Sequence, residues 1–252
     1  FGVTMVEQGV SQLVSVDLMI KLYRKLEELS LSDNFTWAAD HVREWNLAAT
    51  QAKGGKSTPL DLQLSFIEEE FNEVLEAIDE GDIDHLMKEA CDLFVVTSYA
   101  GYLLRETLVW KELFERDTES KFEIGTFMHL LSRAMVGDHQ SMNVAKLCRM
   151  STALLFQLRG DTEGMMKKVL ESNDSKFATL QNLRAAHGVP AVQVDTPSLV
   201  GLELKELTNR FEGRYTGFTC SEIYYRGEKR FIFLDGKGKI MKPSSFVDVD
   251  EL

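Results

Sequence analysis

The chain has 252 residues, 28 of them basic and 40 acidic, so its formal net charge is −12 with histidine neutral. This length suits one large domain or a domain with an appendage, and 44% hydrophobic with 27% charged residues is ordinary for a globular protein. The acidic balance argues against a protein that coats nucleic acid, because binding to the phosphate backbone needs a basic face. It does not exclude small phosphorylated ligands, since bound cations reverse the local sign of a carboxylate-rich site.

The cysteines and the apolar stretches bear on the compartment. Cys91, Cys148 and Cys220 are odd in number and widely spaced, which predicts free structural thiols in a reducing environment. The longest uncharged apolar stretch near the middle covers 93–104, which is too short to span a bilayer. The amino end shows no secretory pattern. We therefore expect a cytoplasmic protein that binds neither membrane nor nucleic acid.

Apolar residues at helical spacing predict a series of helices along most of the chain. We expect them at 14–29, 36–50, 61–80, 84–105, 107–117, 124–136, 141–158, 162–172, 176–187 and 200–210. The connector between 61–80 and 84–105 is very short and contains Gly81, so these two helices are predicted to be antiparallel neighbours.

The character of the sequence changes after Gly188 and Pro190. Segments 219–225 and 230–234 are rich in strand-forming residues and flank a turn at 226–229, which predicts a β-hairpin. The predicted fold class is therefore mainly α, a multi-helix bundle with a small C-terminal β-hairpin. We divide it into a helical domain at 1–190 and an appendage at 191–252.

Several familiar site patterns are absent from the sequence. The run Gly54-Gly55-Lys56-Ser57-Thr58 resembles a phosphate loop, but Thr50 stands where a Walker loop needs glycine, and a helix rather than a strand precedes it. We interpret this run as a polar loop. The five histidines show neither a His-Asp dipeptide nor a His-x-x-x-His spacing, and no serine elbow or cysteine dyad is present.

Carboxylates concentrate between residues 68 and 92, where eleven acidic residues face one lysine. Glu70 and Glu73 are i,i+3 neighbours on one predicted helix, and Glu89 and Asp92 have the same spacing on the next. Folding these helices together brings four carboxylates to one place, where they repel unless a cation neutralises them. Such pairs are common on solvated faces, yet Asp92 opens the most apolar run of the chain. This placement favours a Mg²⁺ or Mn²⁺ site.

The spacing Glu70-x-x-Glu73, fifteen residues, then Glu89-x-x-Asp92 resembles the ExxE…ExxD signature of the all-α nucleoside triphosphate pyrophosphohydrolases. That superfamily includes MazG proteins, dimeric dUTPases, dCTP pyrophosphatases and phosphoribosyl-ATP pyrophosphohydrolases. Segments 42–46, 172–176 and 235–243 are similar, in the same order, to stretches of its phage-type and phosphoribosyl-ATP-like branch. The chain departs from the family by insertions near 104–165 and 185–230, and by Gln63 and Ser65 where relatives often carry a basic residue.

The resemblance implies an all-α pyrophosphohydrolase-like bundle in which Glu70, Glu73, Glu89 and Asp92 hold two Mg²⁺ or Mn²⁺ ions. One carboxylate would take the proton of the attacking water; Glu73 is favoured, with Glu69 and Glu70 as alternatives.

The resemblance also implies substrate-binding residues outside the two motifs. It places Asn173 and Lys176, with Lys237 and Lys239, beside the phosphates, and Trp45 and Asn46 beside the base. Core packing explains Trp45 equally well, and Lys237 and Lys239 also fit an ordinary hairpin surface.

The implied activity is metal-dependent hydrolysis of a nucleoside or deoxynucleoside triphosphate to the monophosphate and pyrophosphate. The branch favours purine deoxynucleotides such as dGTP or dATP. A dUTP or dCTP pyrophosphatase, phosphoribosyl-ATP or alarmone substrates, and a non-catalytic nucleotide-sensing helical protein remain open. Relatives are commonly homodimers or homotetramers, and a phage-encoded member would work in the host cytoplasm.

Overall fold

The computed structural model describes residues 34–105, 111–116, 120–190 and 194–252, and Phe35–Leu252 form one compact unit. The described residues contain eight α-helices, which confirms the mainly α fold class. They are α1 (Thr36–Ala52), α2 (Leu60–Glu80), α3 (Ile83–Leu103), α4 (Ile124–Met135), α5 (Gln140–Gln157), α6 (Thr162–Ser175), α7 (Leu180–Ala186) and α8 (Thr196–Arg210). The helix predicted at 14–29 lies outside the described residues.

Helices α2 and α3 form the antiparallel pair on which the site is built. Gly81 ends α2 in the left-handed conformation, with φ of 72°, and the Asp82 side chain caps α3 by accepting hydrogen bonds from the backbone amides of Asp84 and His85. Across the pair, the Gln63 side chain near the start of α2 donates to the carbonyl of Val96 near the end of α3. The predicted hairpin of helices is therefore confirmed.

The main hydrophobic core lies on the inner face of α3 and joins it to α1, α2, α4, α5 and α6. Phe94 is fully buried at its centre, with its ring centroid 5.8 Å from that of Phe35 and 5.5 Å from that of Phe114. Thr97 and Ser98 are also buried, and both donate hydrogen bonds to backbone carbonyls of their own helix. This core fixes the face of α3 that carries Glu89 and Asp92.

The hairpin predicted near the carboxyl end is part of a three-stranded antiparallel sheet in the order β1-β3-β2. Strands β2 (Thr219–Tyr225) and β3 (Glu228–Leu234) are joined by Arg226 and Gly227, which have φ of 51° and 77° as a tight hairpin turn requires. The third strand, β1 (Phe177–Ala178), pairs with β3.

Two helix predictions differ from the structure. The helix predicted at 176–187 is wrong in its first part, because Phe177 and Ala178 form β1 and Thr179 then caps α7. Within 107–117 the described residues form only a short 3-10 helix, Lys111–Leu113. The boundary drawn at 190 stays a prediction, although β1 from before it pairs with β3 from after it.

The described residues bear on the predictions about a membrane span and about the cysteines. No helix among them is long and apolar enough to cross a membrane. Cys91, Cys148 and Cys220 are all free thiols, and the first two are buried.

Replacing Phe94 with alanine should destabilise the fold strongly, because the cavity left behind cannot be filled by the packed rings around it. We expect a loss of about 3–5 kcal/mol in the free energy of unfolding, measured by urea denaturation. The matched control is Met128→Ala on the exposed face of α4, which should change stability by about 0.5 kcal/mol or less. A loss below about 1 kcal/mol for Phe94→Ala would contradict this description of the core.

Candidate functional site

Three of the four predicted metal ligands meet between α2 and α3. Carboxylate oxygens of Glu70, Glu73 and Glu89 all lie within 4.8 Å of one another. Glu70 and Glu73 occupy one face of α2 because they are three residues apart, and the antiparallel course of α3 brings Glu89 opposite them. The residue spacing therefore produces the acidic cluster by the route that the sequence predicted.

Glu89 is the buried member of the cluster, with 2% of its surface exposed. Its Oε1 accepts a hydrogen bond from Lys88 Nζ at 2.6 Å and lies 3.2 Å from His85 Nε2. Its other oxygen, Oε2, is buried and has no hydrogen-bond partner among the described residues. A buried carboxylate oxygen without a partner is costly, so its position favours a ligand that the side chains themselves do not supply.

Asp92, the fourth predicted ligand, lies one helical turn after Glu89 but outside the 4.8 Å cluster. Its Oδ2 is 3.9 Å from Lys88 Nζ, so the same lysine lies beside both Glu89 and Asp92. The Asp92 side chain lines the same cavity as Glu70, and this arrangement places a carboxylate of each helix on the cavity wall.

The clustered carboxyl groups hold protons unusually tightly. Burial, followed by the negative charges of Asp92, Glu73 and Glu89, raises the pKa of Glu70 to about 8. Burial also raises the pKa of Asp92 to about 6, against the opposing effect of Lys88. For Glu73, partial burial of the carboxyl group and then the neighbouring Glu89 carboxylate raise the pKa. Without a cation, the cluster therefore relieves its repulsion by keeping protons near neutral pH.

A cavity of about 1020 Å³ opens beside the cluster, between α1, α2, α3, α6 and two loops. This volume lies at the upper end of the range for small-molecule sites. Eight of the residues predicted from the sequence line this one cavity: Trp45, Asn46, Glu70, Asp92, Asn173, Lys176, Lys237 and Lys239. They come from segments up to about 190 residues apart in the chain, so tertiary folding alone brings them together.

Trp45 packs against its neighbours and also borders the cavity. One face of its ring stacks on Phe177 of β1, with centroids 4.6 Å apart and an angle of 11° between the planes. Its indole Nε1 donates to the carbonyl of Asn173 at 3.0 Å, and the side chain still lines the cavity. The neighbouring Asn46 donates one side-chain N–H to the carbonyl of Val42, which leaves its second N–H and its oxygen as polar groups on the cavity wall.

Lys176 lies at the end of α6, where the chain enters β1. Its Nζ donates to Asn173 Oδ1 at 2.6 Å and lies 6.0 Å from the centre of the Trp45 ring. Burial lowers the pKa of this ammonium, while the charges of Asp92 and Glu70 raise it. The predicted lysine is thus close to the acidic cluster and faces the same cavity.

The loop Asp235–Lys239 is held closed by its own aspartate. The buried Asp235 accepts hydrogen bonds from the backbone amides of Lys237 and Lys239, and its amide donates to the carbonyl of Lys239. Lys239 Nζ is 3.0 Å from the hydroxyl of Tyr215, whereas Lys237 Nζ has no side-chain partner in the described part of the chain. Both lysines line the cavity, as the sequence predicted for a phosphate-side stretch.

The sequence prediction missed several residues of the cavity. His41 lies one turn before Trp45, and its Nε2 is 2.9 Å from Asp174 Oδ1, which also accepts from the Tyr225 hydroxyl. Helical spacing from Trp45 was the available signal for His41, but its partner Asp174 is 133 residues away in the chain. Lys53 and Lys56, from the run interpreted as a polar loop, also line the cavity.

The three candidates for the general base are placed differently. Glu73 belongs to the acidic cluster and is exposed, and Glu70 belongs to both the cluster and the cavity wall. Glu69 is exposed and lies in neither. The geometry therefore favours Glu73 or Glu70 over Glu69.

The donor set fits a hard divalent cation. Carboxylate oxygens are the ligands that Mg²⁺ and Mn²⁺ prefer, and both ions retain positions for water or phosphate oxygens. The partnerless Oε2 of Glu89 and the raised pKa of Glu70 are the two signs that this cluster lacks positive charge when the side chains are alone. Glu70, Glu73 and Glu89 could hold such an ion, and Asp92 lies one helical turn after Glu89.

Comparison with protein-family models, with curated proteins and with solved structures found no match to this chain.

The stability of the metal-free protein should fall as the pH rises, because of Glu70. A carboxyl group whose pKa is raised in the folded state favours the protonated form, so its effect is absent below the unfolded value near 4.5 and grows up to about pH 8. Relative to Glu70→Gln, the wild type should lose about 1–3 kcal/mol between pH 6 and 8.5, since one pKa unit corresponds to about 1.4 kcal/mol.

The measurement is urea denaturation in EDTA at both pH values, with Asp79→Asn on the exposed side of α2 as the control. The control should keep the pH dependence of the wild type. An unchanged difference between wild type and Glu70→Gln at the two pH values would contradict the raised pKa.

Proposed function

We propose that the protein is a metal-dependent nucleoside or deoxynucleoside triphosphate pyrophosphohydrolase, which converts a (d)NTP and water into the (d)NMP and pyrophosphate. The observation that carries the proposal is the cavity itself. Its wall contains Glu70 of the acidic cluster and the neighbouring Asp92, together with the lysine and aromatic side chains expected for a nucleotide, Lys176 and Trp45.

The charges of the cavity are consistent with a phosphate substrate only if cations are present. Five lysines line the cavity, and none of them forms an ion pair with a described carboxylate. The carboxylates at the other part of the wall would repel a triphosphate directly. Mg²⁺ or Mn²⁺ held by Glu70, Glu73, Glu89 and Asp92 would neutralise both partners and lower the pKa of a bound water.

The proposed hydrolysis needs a water molecule and one carboxylate of this chain as the base. The water oxygen forms a bond to the α-phosphorus, the bond from that phosphorus to the bridging oxygen breaks, and pyrophosphate leaves with the electron pair. Glu73 takes the proton of the water and returns it to solvent, a role that suits a carboxylate whose pKa is raised by partial burial and by Glu89. Glu70 is the alternative, because it belongs to the acidic cluster and lines the cavity.

The remaining lining residues orient the substrate. The buried ammonium of Lys176, fixed by Asn173, would bind phosphate oxygens near the acidic cluster, and Lys237 and Lys239 would bind oxygens farther along the triphosphate. Trp45 can offer a base only the ring face that Phe177 leaves free, and Asn46 can bond the edge of the base. The resemblance of these segments to the phage-type branch favours dGTP or dATP as the substrate.

The resemblance to this family also implies an oligomeric state and a compartment. We propose that the protein is a homodimer or homotetramer in the cytoplasm. Light scattering on a gel-filtration column should then give two or four times the 28.6 kDa of this chain. A single copy at micromolar concentration would remove this part of the proposal and leave the activity to be judged separately.

The activity is tested with a panel of dNTPs and NTPs in Mg²⁺ or Mn²⁺, with pyrophosphate and orthophosphate measured separately. We expect pyrophosphate release, at the highest rate from a purine deoxynucleotide. Asp92→Asn should reduce the rate at least about 100-fold, because each tenfold loss corresponds to only about 1.4 kcal/mol of barrier. Asp79→Asn removes an exposed carboxylate from α2 and should leave the rate within about twofold.

Two results would contradict the proposal. If no nucleotide is turned over while Mn²⁺ still binds, the chain is not a hydrolase of these nucleotides, and the nucleotide-sensing alternative is favoured. If orthophosphate is released instead, the scissile bond lies at the γ-phosphorus.

A further inference from the structure

The proposed hydrolysis assigns no role to His41, although this residue belongs to the cavity wall. His41 lies on α1 one turn before Trp45, so both rings project from the same side of the helix. Only 12% of the His41 side chain is exposed. A polar ring that is mostly buried and borders a cavity is in a position to bind a ligand in one orientation.

Asp174, at the end of α6, holds the His41 ring in place. His41 Nε2 lies 2.9 Å from Asp174 Oδ1, and the same oxygen accepts a hydrogen bond from the Tyr225 hydroxyl at 2.8 Å. Arg226 donates to the other carboxylate oxygen at 3.4 Å. Donors from α1 and from the β2–β3 hairpin thus surround this carboxylate, and its fixed position also fixes the imidazole ring.

The contact with Asp174 determines what His41 offers to a ligand. The three donors around Asp174 match an ionised carboxylate, which only accepts hydrogen bonds, so the proton of the neutral imidazole lies on Nε2. Nδ1 is then an acceptor, and it has no hydrogen-bond partner among the described residues. The other ionisable groups of the wall are lysines and carboxylates, so His41 adds a neutral acceptor to the cavity.

A purely structural contact between α1 and α6 explains only part of this arrangement. Such a contact needs Nε2 alone, and the two helices are already joined one turn later, where Trp45 Nε1 donates to the carbonyl of Asn173. It does not explain why the His41 ring also borders the cavity with its second nitrogen unpaired. The structural explanation depends on Nε2 and a binding role depends on Nδ1, so substitutions can separate them.

The ligand group that pairs with Nδ1 has to be a hydrogen-bond donor. The oxygens of an ionised triphosphate only accept, so this donor belongs to the nucleoside. If the base stacks on the free face of Trp45, Asn46 is the polar residue beside its edge. Residues four apart on a helix are about 5–6 Å apart between Cβ atoms, which is comparable to the size of the sugar attached to the base. This spacing favours a sugar hydroxyl as the partner of His41.

We propose that His41, oriented by Asp174, accepts a hydrogen bond from the 3′-hydroxyl of the nucleotide sugar and makes the cavity selective for nucleotides with this hydroxyl. The inference rests on the proposed function for the kind of ligand, and it deepens it by naming the residue that recognises the sugar. Base, sugar and phosphates then have separate binding groups, namely Trp45, His41 and the acidic cluster with its cations.

The experiment measures binding by calorimetry at pH 8, where an ordinary histidine is neutral, with Ca²⁺ in place of Mg²⁺ to limit turnover. dATP and dGTP are compared with their 2′,3′-dideoxy analogues, which lack only the 3′-hydroxyl. We expect the wild type to bind the hydroxyl-bearing nucleotides at least about fivefold more tightly, because the analogues leave the Nδ1 acceptor without a partner.

Two substitutions of His41 separate its ring nitrogens. The amide of H41Q reaches the position of Nε2 and can keep the contact with Asp174, whereas the amide of H41N overlaps Nδ1 and can keep an acceptor there. We expect H41Q to reduce the preference for the 3′-hydroxyl to less than about twofold and H41N to retain more than twofold. The melting temperatures of both variants report the contact with Asp174, which alone would not change the preference between nucleotides.

Two controls exclude other causes of a lost preference. H129Q replaces an exposed histidine of α4 outside the cavity and should keep the wild-type preference. Deoxyinosine triphosphate lacks the 2-amino group of dGTP, so it reports whether His41 binds the base instead. The ratio of the affinities for dGTP and dITP should be the same in H41Q as in the wild type.

Four results would overturn the proposal. They are equal affinity of the wild type for nucleotides with and without the 3′-hydroxyl, full retention of the preference in H41Q, its loss in H41N as well as in H41Q, and a change in H41Q of the preference for dGTP over dITP. The second result would leave His41 as a structural contact, and the last would assign Nδ1 to the base.

Failure of the proposed function gives a different result. If no nucleotide releases pyrophosphate but the preference for the 3′-hydroxyl is present and depends on His41, the hydrolase assignment fails and the sugar site remains. If pyrophosphate is released without such a preference, only the role of His41 fails.

Discussion

Repulsion between carboxylates across the α2–α3 pair is the constraint on which the rest of this structure depends. Two i,i+3 pairs on antiparallel helices place Glu70, Glu73 and Glu89 within 4.8 Å, a distance that charged groups do not tolerate without compensation. Lys88 compensates only on one side, through Glu89 and more distantly Asp92. The repulsion that Lys88 does not compensate raises the pKa of Glu70, and the buried Oε2 of Glu89 has no hydrogen-bond partner among the described residues.

The hydrophobic core holds this unfavourable arrangement in place. Phe94 and its neighbours fix the inner face of α3, and Glu89 lies close to them in sequence on a helix that has no freedom to turn away. Stability and the site are therefore opposed in the metal-free protein, since relaxing the cluster would require opening the core. A bound cation would remove this opposition, because neutralising the carboxylates would also stabilise the fold.

The parts of the molecule that depend on local pattern were predictable from the sequence. The α2–α3 pair follows from apolar periodicity and Gly81, and the β2–β3 hairpin follows from strand-forming residues around a turn. Strand β1 was missed because only its pairing with β3, more than fifty residues later, makes Phe177 extended. A two-residue strand has no periodicity of its own to reveal it.

The cavity was predictable only in part, for a related reason. Spacing identified the carboxylates, and resemblance identified Trp45 and Lys176, but the contact between His41 and Asp174 depends on how α1 packs against α6. The run Gly54-Gly55-Lys56-Ser57-Thr58 matches no phosphate motif, so the sequence predicts only a polar loop there. Its position beside the cavity depends on how the segments around residues 92, 173 and 235 pack against it, which no local pattern expresses.

The pairing of β1 with β3 also sets an order of events during synthesis. Lys176 directly precedes β1, and β1 has a partner only when residues 231–232 have left the ribosome. The helices that bear the carboxylates end at Leu103, and the core that holds them together also needs α4, α5 and α6, the last of which ends at Ser175. The acidic cluster and its supporting core therefore leave the ribosome before the strand that positions Lys176, so this lysine is fixed later than the carboxylates beside it.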